Sequence, residues 1–318
     1  MESDFIKSGK LEIFNGTDTE YHADKTRISK SGLSEIKISP AHYKEGIEED
    51  EDEKEKSEAL IFGSAYHSYI LEPKKFEEEY YIFDDSTVYQ VLIGEGYKSP
   101  RSTKDYKAWA ESEMRIIGDK KVIRKDVFER IQAMKDKLFQ YPYARMLLSN
   151  GRPEVAYMGE IDTIAGSIRI KFKPDYIKDE KHIIVDLKTT RDASKKGFPK
   201  QAAEHGYHIQ AALYADLMNL AEGENRDFKF FFIAQEKKRP FAFNIFESGA
   251  QFIGQGRYEY EMLLQLYQFC VDNDRWPGYQ IFCENKYGIL ELNLPAYAID
   301  ALDYFDHNYS RKNKTNGK

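Results

Sequence analysis

The periodicity of the chain changes at its middle, and that change restricts the fold. Glu154 to Ile161, Ser167 to Ile177 and His182 to Leu187 are rich in Val, Ile, Tyr and Phe and alternate as strands do; Asp227 to Ala234 and Phe241 to Phe246 repeat the pattern. Lys200 to Leu220 and Glu247 to Val271 carry helical apolar spacing instead. Upstream, Ser31 to Tyr43, Glu58 to Leu71, Ser102 to Ile117 and Lys125 to Phe139 read as helices, with Pro40 ending or turning the first and with Ser102 and Asp126 as caps. Helices followed by β-β-β-α-β-β-α predict one α/β domain, a central mixed β-sheet flanked by helices behind a helical N-terminal portion. The expected limits are an irregular stretch over 1–26, one domain over 27–280 and an extension over 281–318 that ends in a basic, flexible tail. Thr189 to Pro199 reads as a polar loop, and Trp276-Pro277-Gly278-Tyr279 as the end of the packed region.

Charge at first argues against a nucleic-acid partner, because the net value is −7. The charge is concentrated, however. Glu45 to Glu58 holds nine acids and two lysines, so the rest of the chain is neutral overall. A neutral body can carry a basic groove, and the global balance does not exclude DNA. The acidic run itself reads as a flexible, solvated insertion. No apolar run approaches the roughly 18 residues of a membrane span. The N-terminus lacks a basic-then-apolar leader, and Cys270 and Cys283 give neither a disulfide framework nor a four-thiolate cluster. A cytoplasmic protein is expected.

Chemistry enters at Lys173-Pro174-Asp175, followed by Asp186-Leu187-Lys188: the pattern P-D-x10-D-x-K. If Asp175 and Asp186 end neighbouring strands, their carboxylates converge. Hard oxygen ligands select Mg²⁺, with Mn²⁺ as a substitute. Such an ion activates water and neutralises a phosphate under attack. Lys188, two residues after Asp186, shares its strand face and can orient the nucleophile. The Leu187 carbonyl is a further candidate metal ligand. A bare D-x-K is common by chance; the full pattern on two apolar strands is more specific.

Other candidates are weaker alone. Gln210 and Tyr214 share one face of the Lys200–Leu220 helix. Glu154 opens a strand upstream of Asp175 as a third carboxylate, with Glu160 and Asp162 as competitors. His67 follows Gly63, Ser64 and Ala65, small residues that allow close approach of a backbone or a phosphate.

Together the pattern Gly63-x-Ala65-x-His67-x3-Leu71-Glu72-Pro73, Lys173-Pro174-Asp175, Val185-Asp186-Leu187-Lys188-Thr189-Thr190, Tyr207-His208-x-Gln210-x3-Tyr214 and Trp276-Pro277-Gly278-Tyr279 resembles the RecE-type exonucleases (the C-terminal nuclease domain of exonuclease VIII). These belong to the PD-(D/E)XK superfamily and are related to phage lambda exonuclease. The resemblance implies Asp175, Asp186 and the Leu187 carbonyl as metal ligands, with Glu154 as the upstream acid. It implies Lys188 as the catalytic lysine and places His67, Gln210 and Tyr214 at the site. Arg27, Ser29 and Ser31 fall where the family begins its nuclease domain, which by the same resemblance makes them candidates to bind a terminal phosphate. Lys173 stands where the family usually has arginine, which keeps the charge but loses bidentate geometry. The implied activity is a Mg²⁺-dependent 5′→3′ exonuclease on double-stranded DNA ends. The implied setting is phage or prophage recombination, with a RecT- or Beta-type annealing partner and a ring-shaped homo-oligomer.

Overall fold

The computed structural model describes residues 5–48, 58–223, 227–282 and 289–294. Met1–Trp276 form one compact unit and Pro277–Lys318 a second, in which a 3-10 turn covers Tyr279–Phe282 among the described residues. Cys283 and the basic tail lie outside the described residues.

In chain order the first unit opens with β1 (Ile6–Ile13), α1 (Asp18–Ala23), α2 (Lys30–Ile38), α3 (Pro40–Glu48), α4 (Glu58–Leu71) and α5 (Pro73–Glu79). Then come β2 (Tyr80–Phe83), α6 (Ser86–Gly94), α7 (Lys104–Ile117), β3 (Lys121–Arg124), α8 (Lys125–Phe139) and α9 (Pro142–Leu147). The central part holds β4 (Arg152–Pro153), β5 (Tyr157–Thr163), β6 (Gly166–Phe172), β7 (Tyr176–Lys178) and β8 (Ile183–Thr190). It closes with α10 (Gly197–Glu204), α11 (Tyr207–Glu222), β9 (Lys229–Glu236), β10 (Phe243–Glu247) and α12 (Ala250–Asn273).

The strands form a mixed five-stranded sheet in the order β10-β9-β8-β7-β4, a three-stranded antiparallel sheet β1-β5-β6, and a parallel pair β2-β3. Only β8 and β9 run parallel in the large sheet. Alternation along β8 and β9 decides which core each residue joins. Ile184, Phe230 and Phe232 face a core built with α10, α11 and α12. Ile183, Val185, Leu187, Phe231 and Ile233 face a second core built with α4, α8 and α9. Helices thus cover both faces of a mixed sheet, as the sequence predicts.

Several boundaries differ from the sequence reading. The stretch 1–26 contains β1 and α1, because β1 gains its order from antiparallel pairing with β5 and not from an apolar face of its own. Ser31 to Tyr43 is two helices that meet at Ser39, and the second begins at Pro40, where the missing N–H costs nothing. The single strand expected over Ser167 to Ile177 is cut at Lys173-Pro174-Asp175, since Pro174 offers no N–H to a ladder. Its first half joins the three-stranded sheet and its second half the five-stranded one. The helix expected over Lys200 to Leu220 is likewise two, separated at Gly206, whose φ of +63° is left-handed backbone. The loop expected over Thr189 to Pro199 is shorter, because β8 runs to Thr190 and α10 starts at Gly197. Of the acidic run, Glu45–Glu48 ends α3 and Glu58 begins α4; residues 49–57 lie outside the described part.

Gly256 sets how closely α12 lies on α11. A Cβ built there would stand 1.9 Å from the His208 carbonyl oxygen. Arg257 and Tyr260 fasten the same contact through Asp216, at 2.7–2.8 Å.

Candidate metal centre and cleft

Asp186 sits on the α11 side of β8 by parity with Ile184, and its carboxylate is 1% exposed. A buried carboxylate needs compensation, and two groups supply it. Gln210 Nε2, reaching down from α11, donates to Asp186 Oδ2 at 2.5 Å. Lys188 Nζ, on the same strand face, lies 2.6 Å from Asp186 Oδ1. Burial works against the charge on Lys188, but Asp186 and Asp175 outweigh it and raise its pKa above the usual lysine value.

The break at Pro174 positions Asp175. Tyr176 pairs with Val185, which sets Asp175 across from Asp186. The Leu187 N–H donates to Asp175 Oδ2 at 2.8 Å. Burial, then the charge of Asp186, pushes the Asp175 carboxyl well above the usual carboxylate range. Tyr214, one turn past Gln210, is buried against Phe172, and its phenol oxygen is hydrogen-bonded to the Lys173 backbone. It thereby supports the break and does not face substrate space.

Glu154 does not open a strand. It lies between β4 and β5 with φ of +50°, uncommon for a residue with a side chain. Its N–H donates to the Asp175 carbonyl at 2.9 Å, which fixes it beside the site. Glu160 and Asp162 point elsewhere and are occupied by Ser167 and Ser8. His67 comes from α4; its Nδ1 lies 3.4 Å from Asp175 Oδ2. Burial lowers its pKa, partly offset by Glu154 and by a hydrogen bond to the Leu187 backbone. The sequence reading gave Gly63 a role in close approach, but a Cβ there would meet nothing within 4 Å. Gly63 instead faces an open cleft of about 1240 Å³ lined also by His67, Glu154, Asp175, Leu187 and Lys188.

His67, Glu154 and Asp175 offer ligand atoms that all lie within 4.8 Å of one another. Carboxylate oxygens with one imidazole suit a hard or borderline divalent cation. Asp186 Oδ1, buried and contacted by Lys188 Nζ at 2.6 Å, is a further ligand atom of the right kind. These residues fit a divalent metal ion.

The remaining expectations divide. Lys173 is in the cleft but already paired, with Glu154 at 2.9 Å and Asp18 at 2.7 Å. Arg27, Ser29 and Ser31 do not line it. The bridge between Ile28 and Ile170 lays that segment along the edge of β6, where Arg27 pairs with Asp24 and faces a separate concavity with Lys10 and Arg169. Ser29 caps α2, and Ser31 is an exposed residue of its first turn. Between them Lys30, which sequence reasoning passed over, reaches the site from the other side. Its Nζ donates to the His205 carbonyl at 2.9 Å and lies 5.9 Å from the Tyr207 ring, whose other cation is Lys188 at 4.9 Å. Burial, then the charge of Lys188, lowers the Lys30 pKa to about 8. Asp18 and Lys75 are two further cleft residues that the sequence did not single out. Their signal is weak, because neither lies in a strand motif and both reach the site only through the packing of α1 and α5.

No curated protein matches this chain. Among solved structures, a candidate exonuclease from Eubacterium rectale is 19% identical; the match covers 91% of this chain and 98% of that one with a TM-score of 0.55, which shows a common fold. A second solved structure, SSO0001, is 15% identical over 78% of this chain and 88% of its own, with a TM-score of 0.26. A family model described as a PDDEXK-like domain of unknown function (DUF3799) matches residues 29–287. That span holds the sheet, the cut strand and every residue of the His67–Glu154–Asp175–Asp186–Lys188 cluster, and the chain belongs to this PDDEXK-like family.

Proposed function

We propose that this protein is a divalent-metal-dependent DNA nuclease, and in finer terms a Mg²⁺-dependent 5′→3′ exodeoxyribonuclease of linear duplex ends. The observation that carries the nuclease reading is the convergence of His67, Glu154 and Asp175 beside the Asp186–Lys188 pair in one open cleft. The resemblance to RecE-type enzymes adds the polarity, the 3′-tailed product, the RecT- or Beta-type annealing partner and the ring.

Asp175, Glu154, Asp186 and His67 would hold the metal, with the Leu187 carbonyl beside them. A divalent ion supplies Lewis-acid activation of water and neutralises charge on the phosphate. Lys188 is kept cationic by Asp186 and Asp175 and is placed to stabilise charge developing on the phosphate oxygens or to orient water. Gln210 holds Asp186 in one rotamer, as outer-shell partners of ligating carboxylates do. Tyr214 and the Leu187 N–H fix Asp175 relative to β8.

The test is digestion of a linear duplex labelled separately at its 5′ and 3′ ends, in Mg²⁺ and in Mn²⁺, beside a closed circle. Loss from the 5′ ends, an intact circle and a Lys188→Ala protein that binds but does not turn over are expected, with turnover reduced at least about 100-fold. Cutting of the circle would make it an endonuclease on the same fold. No cleavage in either metal would favour a non-catalytic DNA-binding or inhibitory protein, whose activity should then depend on residues 45–58.

A further inference from the structure

Two lysines in the cleft share one carboxylate. Asp18, at the start of α1, accepts from Lys173 Nζ through Oδ1 at 2.7 Å and from Lys75 Nζ through Oδ2. Each oxygen has its own ammonium group. Two lysines would meet the two non-bridging oxygens of a phosphodiester in the same way, since an ammonium is a point donor that any anionic oxygen can satisfy. Lys75 comes from α5, and Lys173 directly precedes Pro174-Asp175, so the pair links the cleft wall to the metal ligands.

Among the described residues, these two lysines are the partners of the Asp18 side chain. The start of α1 does not depend on it, because Thr17 is the cap and Glu20 closes the capping box. Its side chain is 44% exposed, against 16% for Lys173 beneath it. Partial burial opposes its ionisation, but Lys173 and Lys75 hold its carboxyl down at about 2. The lysines have other acids in reach, Glu154 at 2.9 Å from Lys173 and Glu72 at 3.4 Å from Lys75, and so stay in place if Asp18 swings out.

We propose that Asp18 stands in for a phosphate of a nucleic-acid strand on the Lys75–Lys173 pair, and that a strand seats by displacing it. The proposal rests on the nuclease reading above. It makes Asp18 a specificity residue: an anion built into the site that a strand must outcompete, so that grip is limited and release is easy.

The experiment measures binding of a short duplex in Ca²⁺ on the Lys188→Ala background, with a 5′-phosphate and with a 5′-hydroxyl, across a salt series. Asp18→Asn should tighten binding by roughly 3- to 30-fold and steepen the salt dependence by up to about two counterions. Lys75→Met should weaken binding, and more so beside Asp18→Asn, where the lysine has lost its competitor. A gain confined to the 5′-phosphorylated duplex would assign the seat to a strand end; an equal gain on both would assign it to an internal phosphate. Unchanged or weaker binding by Asp18→Asn, at a melting temperature like the parent's, overturns the proposal. If Asp18→Asn melts early, Asp18→Ser takes its place, and the non-additivity with Lys75→Met must still appear. Wild-type protein that cuts duplex while Asp18→Asn changes nothing defeats this inference alone; wild-type protein that neither binds nor cuts duplex defeats the nuclease reading.

Discussion

Gln235→Leu should destabilise the protein by about 2–5 kcal/mol, for reasons that lie outside the cleft but control it. Gln235 is on β9 and is fully buried. Its Oε1 accepts from the Tyr66 hydroxyl, and its Nε2 donates to the Met134 carbonyl at 2.9 Å and the Phe241 carbonyl at 3.2 Å. One amide therefore ties β9 to α4, to α8 and to the turn before β10. Leucine has similar volume, so the cavity contribution is small and the lost polar contacts dominate. The Tyr66 hydroxyl loses the bond that satisfies it, a penalty of about 1–3 kcal/mol for a buried group. Each carbonyl loses one bond, about 0.5–1.5 kcal/mol apiece. Burial of the new methyl groups offsets part of this. Urea unfolding of wild type, Gln235→Leu, Tyr66→Phe and the double variant forms the cycle. Tyr66→Phe should cost stability alone but restore about 1 kcal/mol or more in the leucine background, because it removes the orphaned hydroxyl. A Gln235→Leu protein within about 1 kcal/mol of wild type, or strictly additive variants, would refute the reasoning. Tyr66 immediately precedes His67, so metal affinity should fall with stability in the single variant and recover partly in the double one.

Gly256→Ala should lower the melting temperature, because its Cβ would lie 1.9 Å from the His208 carbonyl and must push α12 off the helix that carries Gln210. The expected cost is about 1–3 kcal/mol, read by thermal unfolding; an unchanged protein would mean that α12 shifts freely. Glu259 gives an acid-limb prediction. Partial burial opposes its ionisation, but Gln255, Lys37 and His208 hold its carboxyl at about 2, below its ordinary 4.5. A depressed carboxylate stabilises above the unfolded value, and that contribution fades as pH falls from about 4.5 towards 2. The stability gap between wild type and Glu259→Gln should therefore close over that window, and a gap that stays constant with pH would assign the contact to packing alone.

Much of the site was legible because strand parity is local. Asp186 and Lys188 are two residues apart, and any strand through them sets both on one face. Gln210 and Tyr214 were legible as a helix pair, but not their division of labour. Only packing makes Gln210 the donor to Asp186 and sends Tyr214 to the Lys173 backbone. Pro174 was written in the sequence, yet its effect as the point where one strand leaves one sheet for another needed both sheets to be seen. Arg27, Ser29 and Ser31, suggested by the resemblance alone, lie along the edge of β6 away from the cleft lining, a placement that no local pattern in the sequence encodes.

The succession of strands and helices from β5 onward, the mixed sheet with helices on both faces, and the pairing of two acids with a lysine were determined in outline by apolar period and by residue spacing, which act over a few residues, whereas β1, β2 and β3 in the N-terminal portion carry no such signal. Glu154 at its positive φ, His67 brought from α4, Lys30 behind Tyr207, and Asp18 between Lys75 and Lys173 were decided by tertiary structure alone. Each of these depends on contacts between residues tens of positions or more apart, and no local pattern encodes the free energy of bringing such charges together.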